Sequence, residues 1–297
     1  MSRERKATVS ILLPPSSARP VVTDGAWGTQ LQALGLGPGE CPDAWNLTHP
    51  DRVEAVARAY VEAGSAVILT NTFGGNRLRL AAHGLAEQAQ AINRAGARIS
   101  RQAAGARMRV FASIGPTGRM LALGETSADE LHSAFEEQAQ ALAQEGVDAL
   151  LLETFADLVE TRAAIAAARA TGLPVVASFV FDSGPARDRT MMGVTPEQAA
   201  AAVMEAGADA VGANCGNGID RYVPICRRLR DATDHPIWIK PNAGLPEMVG
   251  DRAVYRTTPE YFATRTLELV AAGADFVGCC CGTSPAFIAA IRQALRR

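Results

Sequence analysis

The stretch AAGADFVGCC, at residues 271–280, decides the fold because weaker copies of it recur along the chain. The copies read EAGSAVILTN at residues 62–71, QEGVDALLLE at residues 144–153 and EAGADAVGAN at residues 205–214. In each copy a helix-forming segment ends at a glycine, and an apolar run follows after a short gap. A helix that ends at a C′ glycine and leads into a buried parallel strand has this pattern. The repeat therefore predicts a series of helix-to-strand junctions.

Further apolar runs lie between these copies. They read PVVTDGA from residue 20, RVFASIG from residue 109, PVVASFVF from residue 174 and PIWIKPN from residue 236. A segment with helical character follows each candidate strand; residues 50–64, for example, begin with proline, end with glycine and carry apolar residues at helical spacing. Eight such units, the number needed for a (β/α)8 TIM barrel, predict that fold in a single domain. An open doubly wound sheet is the alternative.

The N-terminus differs in character from the rest of the chain. It carries charges and then a short apolar run that Pro14 and Pro15 interrupt, which is too short for a signal-peptide core or a membrane span. We therefore expect residues 1–18 to form a flexible arm and residues 19–297 to form the barrel of a cytoplasmic protein. A formal net charge of −2 gives no electrostatic reason to expect nucleic acid or an acidic membrane as a partner.

Three consecutive cysteines occur in GCCCGT, at residues 278–283, at the end of the eighth candidate strand. Adjacent cysteines do not readily bridge one another, and soft thiolates suit zinc. Cys215 ends the sixth candidate strand and opens onto the same rim, because barrel active sites form at the C-terminal ends of the strands. Three thiolates with one exchangeable position make a catalytic style of zinc site. The alternative is that Cys215 is a small buried residue, while Cys41 and Cys226 have no partner motif.

Two cysteine motifs, GANC at residues 212–215 and VGCCCGT at residues 277–283, resemble the paired signature of zinc-dependent homocysteine S-methyltransferases. DGAWGTQLQ from residue 24, TNTFGGNRLRL from residue 70 and KPNAGLP from residue 240 extend the resemblance, which runs from about residue 20 to the end. Within the family the sequence is most similar to the homocysteine-binding module of cobalamin-dependent methionine synthase and to bacterial betaine–homocysteine methyltransferases. The resemblance implies bound Zn2+ and methyl transfer to homocysteine to give methionine.

The resemblance also implies particular metal ligands. The family's final motif usually has two glycines and then two liganding cysteines before Gly-Thr, so alignment on Gly-Thr implies Cys280 and Cys281 as ligands beside Cys215. Cys279 then replaces a glycine, either as a tolerated small residue or as an alternate ligand. Asn242 is implied to lend its side-chain oxygen to zinc when substrate is absent, although a turn hydrogen bond is the ordinary role for such an Asn.

Other polar strand ends are candidates for binding homocysteine. The resemblance assigns the substrate ammonium group to Asp24 and Glu153, against the alternatives of helix capping and a solvated strand end. Backbone amides from Gly25 onward could hold the substrate carboxylate, because glycine permits close approach. The remaining substrate-binding candidates share the same rim and are expected to orient groups in the pocket; they are Asn71, Thr72 and Asn214.

The methyl donor stays open at this point. Because one barrel accounts for the whole sequence, we expect the donor to be either a corrinoid supplied by a partner protein or a small onium compound such as betaine or S-methylmethionine. An onium donor would favour an aromatic cage, and Trp27, Trp45, Phe73 and Phe155 lie near strand ends, where ordinary packing is at least as common. Barrels of this type often self-associate, so a homo-oligomer is expected by analogy.

Two other function classes fit the cysteines. A non-catalytic zinc-bound barrel would act as a thiol-binding or interaction module and would bind homocysteine without turnover. A thiol redox protein would use the triplet at residues 279–281 without a required metal.

Overall fold

The computed structural model describes residues 12–13, 20–106, 108–249 and 252–296. Their strands are β1 (Val21–Val22), β2 (Val67–Leu69), β3 (Arg109–Ile114), β4 (Ala149–Phe155), β5 (Val175–Phe179), β6 (Ala210–Cys215), β7 (Ile237–Pro241), β8 (Glu247–Val249), β9 (Arg252–Val254) and β10 (Phe276–Val277). Their helices are α1 (Gly28–Ala33), α2 (Trp45–Thr48), α3 (Pro50–Glu62), α4 (Arg77–Leu80), α5 (Ala89–Ala104), α6 (Ala128–Ala143), α7 (Leu158–Arg169), α8 (Pro196–Ala206), α9 (Tyr222–Ala232), α10 (Pro259–Ala271) and α11 (Pro285–Ala294).

The strands form a nearly closed parallel barrel. An 8-stranded sheet has the order β1-β10-β7-β6-β5-β4-β3-β2. Its two ends meet where the Ala66 amide donates to the Val22 carbonyl at 2.7 Å. The predicted single-domain TIM barrel is confirmed, and the open doubly wound sheet is wrong, because this hydrogen bond joins β1 to the residue before β2 and so connects the two ends of the sheet.

The glycines of the repeat explain how each helix turns into a strand. Gly64, Gly146, Gly207 and Gly273 all have positive φ, between 71° and 101°. Glycine takes this left-handed conformation without the steric cost of a Cβ, so a helix can stop there and the chain can turn back toward the sheet. These junctions lead into β2, β4, β6 and β10, and all eight barrel strands run parallel, so their C-terminal ends gather at one mouth.

The barrel interior has an apolar layer below a polar one. The apolar layer includes Phe111, Leu151, Trp238 and Phe276, all of them buried. Side chains two residues apart on a strand lie on the same face. The next inward positions toward the C-terminal mouth are therefore the polar residues Ser113, Glu153, Ser178, Asn214 and Lys240. The polar side chains at the mouth therefore lie directly above a buried apolar layer that fills the barrel interior.

The predicted arm at residues 1–18 lies outside the described residues except at two positions. Leu12 and Leu13 are 1% and 3% exposed and pack with the apolar layer of the barrel. The flexibility of the arm and the domain boundary at residue 19 stay predictions.

An antiparallel hairpin interrupts the regular alternation between β7 and α10. It is formed by β8 and β9, with Glu247 opposite Val254. Leu245, Met248 and Val249 expose 64%, 67% and 54% of their surface there. Among the helices of the described residues, none is long and apolar enough to cross a membrane.

Candidate metal centre and substrate pocket

Three cysteines meet at the C-terminal mouth of the barrel. The Sγ atoms of Cys215, Cys280 and Cys281 all lie within 4.8 Å of one another, and each residue is partly exposed. Cys215 ends β6, while Cys280 and Cys281 follow β10. Soft sulfur donors at this spacing could hold a thiophilic metal ion.

A turn lets two neighbouring cysteines share the site. The Cys280 amide donates to the Pro241 carbonyl at 2.8 Å, so the backbone is still held against β7 at this point. Neighbouring side chains in a strand point to opposite faces. Cys281 nevertheless lies beside Cys280, with 4.0 Å between their sulfur atoms, and the chain turns at the next residue, Gly282, where φ is +81°.

The thiols of the cluster influence one another strongly. Hydrogen bonds from Cys280 and then Cys281 lower the pKa of Cys215, against the effect of burial. Hydrogen bonds to Cys215 and Cys281, together with burial, raise the pKa of Cys280. A single negative charge on Cys215 is therefore favoured over three, and a bound cation would be needed to hold all three groups as thiolates.

Asn242 adds an oxygen atom to the cluster. Its Nδ2 donates to the Gly216 carbonyl at 2.8 Å, and its side chain is also a hydrogen-bond donor that lowers the pKa of Cys215. Its Oδ1 is buried and has no hydrogen-bond partner among the described residues. Leaving a buried acceptor unpaired is costly, so this oxygen, on a side chain that contacts Cys215, is a candidate for the fourth donor to a metal.

Cys279 lies apart from the cluster. It is fully buried within the core between strands and helices, and its amide donates to the Asp24 carbonyl at 3.0 Å. Burial raises the pKa of its thiol, which keeps the group protonated. The structure thus brings two of the three consecutive cysteines to Cys215 and packs the third into the core.

Asp24 enters the pocket as half of an ion pair. Lys240 Nζ lies 2.5 Å from Asp24 Oδ1, and both side chains are buried. Asp24 Oδ2 accepts hydrogen bonds from the Leu69 amide at 2.7 Å and from Trp27 Nε1 at 2.8 Å. Both oxygens of this predicted ammonium ligand are therefore already held by protein donors.

Lys240 is a buried residue of the barrel mouth to which the sequence alone assigned no role. Burial lowers the pKa of Lys240, but the charges of Asp24 and Glu153 outweigh burial, and the net shift is upward. The lysine therefore stays charged. A lysine inside the apolar run PIWIKPN was a signal, because lysine is almost never buried without a partner.

Glu153 lies in the polar layer of the barrel, where one of its carboxylate oxygens is bonded to the protein. Its Oε1 accepts a hydrogen bond from the Ser113 hydroxyl, whereas Oε2 has no partner among the described residues. The residue is 8% exposed, and burial raises the pKa of its carboxyl, opposed by the Lys240 charge and the Ser113 hydrogen bond. A buried carboxylate with one unpaired oxygen is suited to a cationic ligand.

The other predicted substrate residues mainly hold the walls of the pocket. Asn71 Nδ2 donates to the Pro42 carbonyl at 2.8 Å and to Asn46 Oδ1 at 3.0 Å. Thr72 Oγ1 donates to the Ser113 carbonyl at 2.7 Å. Gly25 packs so closely against Tyr60 and Thr283 that a Cβ would lie 2.8 Å from the Tyr60 hydroxyl.

Asn214 is fully buried, and its side-chain amide forms hydrogen bonds with residues of β4 and β5. Its Oδ1 accepts hydrogen bonds from the Thr154 amide at 2.9 Å and the Ser178 hydroxyl at 2.7 Å. Its Nδ2 donates to Thr154 Oγ1 at 2.6 Å. Thr154 was not expected from the sequence to matter, yet it is one of three non-glycine residues of the described chain with positive φ.

Tyr255 is a third residue that the sequence did not indicate. It follows β9 and is half-buried, with its ring against Gly282, where a Cβ would lie 2.2 Å from the tyrosine Cδ1. Burial and then the charges of Cys281 and Cys215 raise the pKa of its hydroxyl. The hairpin thus places an aromatic ring over the turn that carries Cys281.

The sequence and the fold were compared with those of known proteins. Methionine synthase of Mycobacterium tuberculosis (strain ATCC 25618 / H37Rv) is 32% identical over 303 residues, which cover 96% of this chain and 25% of that protein. Methionine synthase of Mycobacterium leprae (strain TN) is 32% identical over 305 residues, with the same coverage. This chain therefore corresponds to 25% of the length of each relative.

Solved structures share the fold. Homocysteine methyltransferase MmuM from Escherichia coli in its metallated form superposes with a TM-score of 0.77 at 23% identity, covering 93% of this chain and 96% of that one. Its oxidized form gives a TM-score of 0.79 at 23% identity, covering 96% and 99%.

The family model described as homocysteine S-methyltransferase matches residues 21–295, which is nearly the whole barrel. This match confirms the predicted enzyme class, an S-methyltransferase. The chain belongs to the homocysteine S-methyltransferase family.

Proposed function

We propose that this chain transfers a methyl group to the sulfur of homocysteine, giving methionine, with a zinc ion held by Cys215, Cys280 and Cys281. The convergence of three thiols at the barrel mouth, in a member of this family, is the observation that carries the proposal. The buried carboxylate of Glu153 in the same polar layer supports an amino acid as the thiol substrate.

The donor set suits zinc in particular. Zinc favours thiolate ligands and tetrahedral coordination, and in catalytic sites it keeps one position for substrate. When bound, zinc supplies a Lewis acid that keeps a coordinating thiol deprotonated at neutral pH. We assign the unpaired Oδ1 of Asn242 as the fourth donor in the substrate-free protein.

The charges of the pocket fit the amino-acid end of homocysteine. Lys240 neutralises Asp24 within their ion pair, so the free oxygen of Glu153 is left to accept the substrate ammonium group. Asp24 contributes to this site by holding Lys240, and backbone amides near Gly25 receive the substrate carboxylate. Asn71 and Thr72 keep the adjoining wall in place. In the transfer, the substrate sulfur bonds to the methyl carbon as the donor's bond to that carbon breaks, and the thiol proton leaves to solvent.

We propose a corrinoid on a partner protein as the methyl donor. This choice rests on the sequence resemblance to the homocysteine-binding module of cobalamin-dependent methionine synthase and on the packing of the four candidate aromatic residues. Trp27 Nε1 is bonded to Asp24, the Trp45 ring lies 4.5 Å from His49, Arg79 lies 5.0 Å over Phe73, and Phe155 packs 5.9 Å from Phe135. Little of their surface is left to surround an onium group, which makes betaine the alternative donor.

Metal analysis of purified protein tests the zinc site. We expect stoichiometric zinc in the wild type and its loss in Cys215→Ala and Cys281→Ala. Cys226→Ala is the matched control, because Cys226 is a buried cysteine whose thiol contacts the Leu269 and Ala272 carbonyls and not the cluster. Full zinc in both cluster variants would contradict the assignment.

A panel of donors tests the reaction. Homocysteine is incubated with free methylcobalamin, a methylcobalamin-loaded corrinoid protein, betaine or S-methylmethionine, and methionine is measured. Methionine formed from a corrinoid supports the proposal. Methionine formed from betaine alone would show that betaine, and not a corrinoid, is the methyl donor. Zinc and homocysteine binding without methionine from any donor would favour the non-catalytic thiol-binding module.

A further inference from the structure

Two residues in strained backbone conformations flank the two ends of the proposed pocket. Thr154, next to Glu153, has φ of +65°, and Cys215 has φ of +66°. A left-handed conformation is unfavourable for residues with a Cβ and more so for a β-branched threonine. Such conformations persist only where the surrounding structure holds them in place.

Asn214 holds both of these residues. Its side chain makes two hydrogen bonds to Thr154, one to the backbone amide and one to Oγ1. Its backbone precedes Cys215 directly, and its carbonyl accepts a hydrogen bond from the Tyr222 hydroxyl at 2.6 Å. One buried residue therefore fixes the backbone on the carboxylate side and on the thiol side of the pocket.

The hydrogen bonds between Asn214 and Thr154 fall at a register irregularity in β4. Pairing between β4 and β5 shifts register between Leu152 and Phe155, and the shifted segment contains Glu153 and Thr154. A bulge of this kind re-aims a side chain relative to a regular strand. Asn214 reaches across β5, where it also accepts from Ser178, and so ties the bulge to β6.

We propose that Asn214 is a positioning residue that sets the spacing between Glu153 and Cys215, and thereby makes the pocket selective for thiols that carry an ammonium group at the distance found in homocysteine. This inference rests on the proposed function. Asn214 is fully buried and does not need to touch the substrate; it acts through Thr154 and Cys215.

The test compares homocysteine with 4-mercaptobutanoate, which has the same thiol and carboxylate but no amino group. Binding is measured by calorimetry on zinc-loaded protein, and KM and kcat are measured with the active donor. In Asn214→Ala we expect homocysteine affinity to fall about 10- to 100-fold, since small misplacements of a binding group have effects of this size. Affinity for 4-mercaptobutanoate and the zinc content should not change.

A second variant separates positioning from general damage. Glycine adopts positive φ without strain, so Thr154→Gly in the Asn214→Ala background should restore most of the lost homocysteine affinity. Asn93→Ala is the matched control: Asn93 is a fully buried amide with three hydrogen bonds, to Gly75, Ala89 and Gln138, and none to β4 or β6. It should lower the melting temperature without changing the preference between the two thiols.

Several results would overturn the inference. Equal loss of affinity for both thiols in Asn214→Ala, loss of zinc, or no recovery on adding Thr154→Gly would each do so. If the wild type itself fails to bind homocysteine, the proposed function fails and the inference fails with it. If the wild type binds homocysteine but Asn214→Ala keeps the same preference between the two thiols, the inference is wrong and the proposed function still stands.

Discussion

Lys240 and Asp24 form an ion pair across the mouth of the barrel, with Nζ 2.5 Å from Oδ1 and side chains that are 2% and 0% exposed. The pair joins the end of β7 to the segment after β1. Because Asp24 also accepts from the Leu69 amide, the same carboxylate links β2 to this arrangement. The pair therefore braces the place where the barrel closes, directly beside the polar layer.

Replacing the lysine should strongly destabilise the protein. Lys240→Met leaves the Asp24 charge buried without its partner, and we expect a loss of about 3–5 kcal/mol in the free energy of unfolding, measured with urea. Arg162→Met removes one partner of an exposed pair with Glu205 and should cost less than about 1 kcal/mol. A similar small loss for both variants would contradict this role of the buried pair.

Tyr255 should shield the cysteine cluster from solvent. Its half-buried ring packs against Gly282, so Tyr255→Ala should uncover the turn that carries Cys281. In metal-free protein we expect faster modification of the cluster thiols by a disulfide reagent, followed by absorbance. Tyr255→Phe keeps the ring and should react at the wild-type rate. An unchanged rate in Tyr255→Ala would show that the ring does not limit access.

The contribution of Asp43 to the free energy of unfolding should depend on pH. Burial raises the pKa of this carboxyl to about 6, opposed by its hydrogen bond from the Gly74 amide. The folded state thus binds more protons than the unfolded state between about pH 4 and pH 6, so the contribution of Asp43 to stability falls as pH rises through that window.

Asp43→Asn should remove this dependence, because the amide keeps an acceptor for Gly74 without a charge. The stability difference between variant and wild type, measured by urea unfolding, should grow in favour of the variant by up to about 3 kcal/mol from pH 4 to pH 7. A difference that stays constant over this range would show that the carboxyl titrates normally.

Cys279 should be dispensable for metal binding. Because it packs in the core and not with the three thiols, Cys279→Ala should keep full zinc while losing about 1–2 kcal/mol of stability. Zinc content and thermal unfolding measure the two effects. Loss of zinc in this variant, at a melting temperature close to that of wild type, would make Cys279 a ligand.

The fold was predictable because it depends on local patterns that repeat. Glycines such as Gly64 and Gly207 mark where helices end, and the apolar runs after them have no other plausible place than a buried parallel strand. The polar strand ends could then be placed at one mouth. Cys215 and Cys281 could be brought together from the sequence for this reason, although their metal and its role stay proposals.

Other parts of the site could not be predicted, because they depend on contacts between distant segments. Nothing in the local sequence of Tyr255 indicates that a hairpin carries its ring to Gly282. Thr154 lies in an apolar run and has high strand propensity, so nothing in the local sequence indicates its positive φ or its hydrogen bonds to the distant Asn214. The partner of Asp24 lies 216 residues away and could have been any cation at the rim.

The pairing of β1 with β10 also has a consequence for how the chain is made. Val21 pairs with Phe276, so the first strand has no neighbour on that side until residue 276 has been synthesised. Until then β1 and β7 are open edges. Unpaired edges can template association between chains during folding. A chain cut short before residue 276 would therefore be prone to aggregate instead of forming a smaller working barrel.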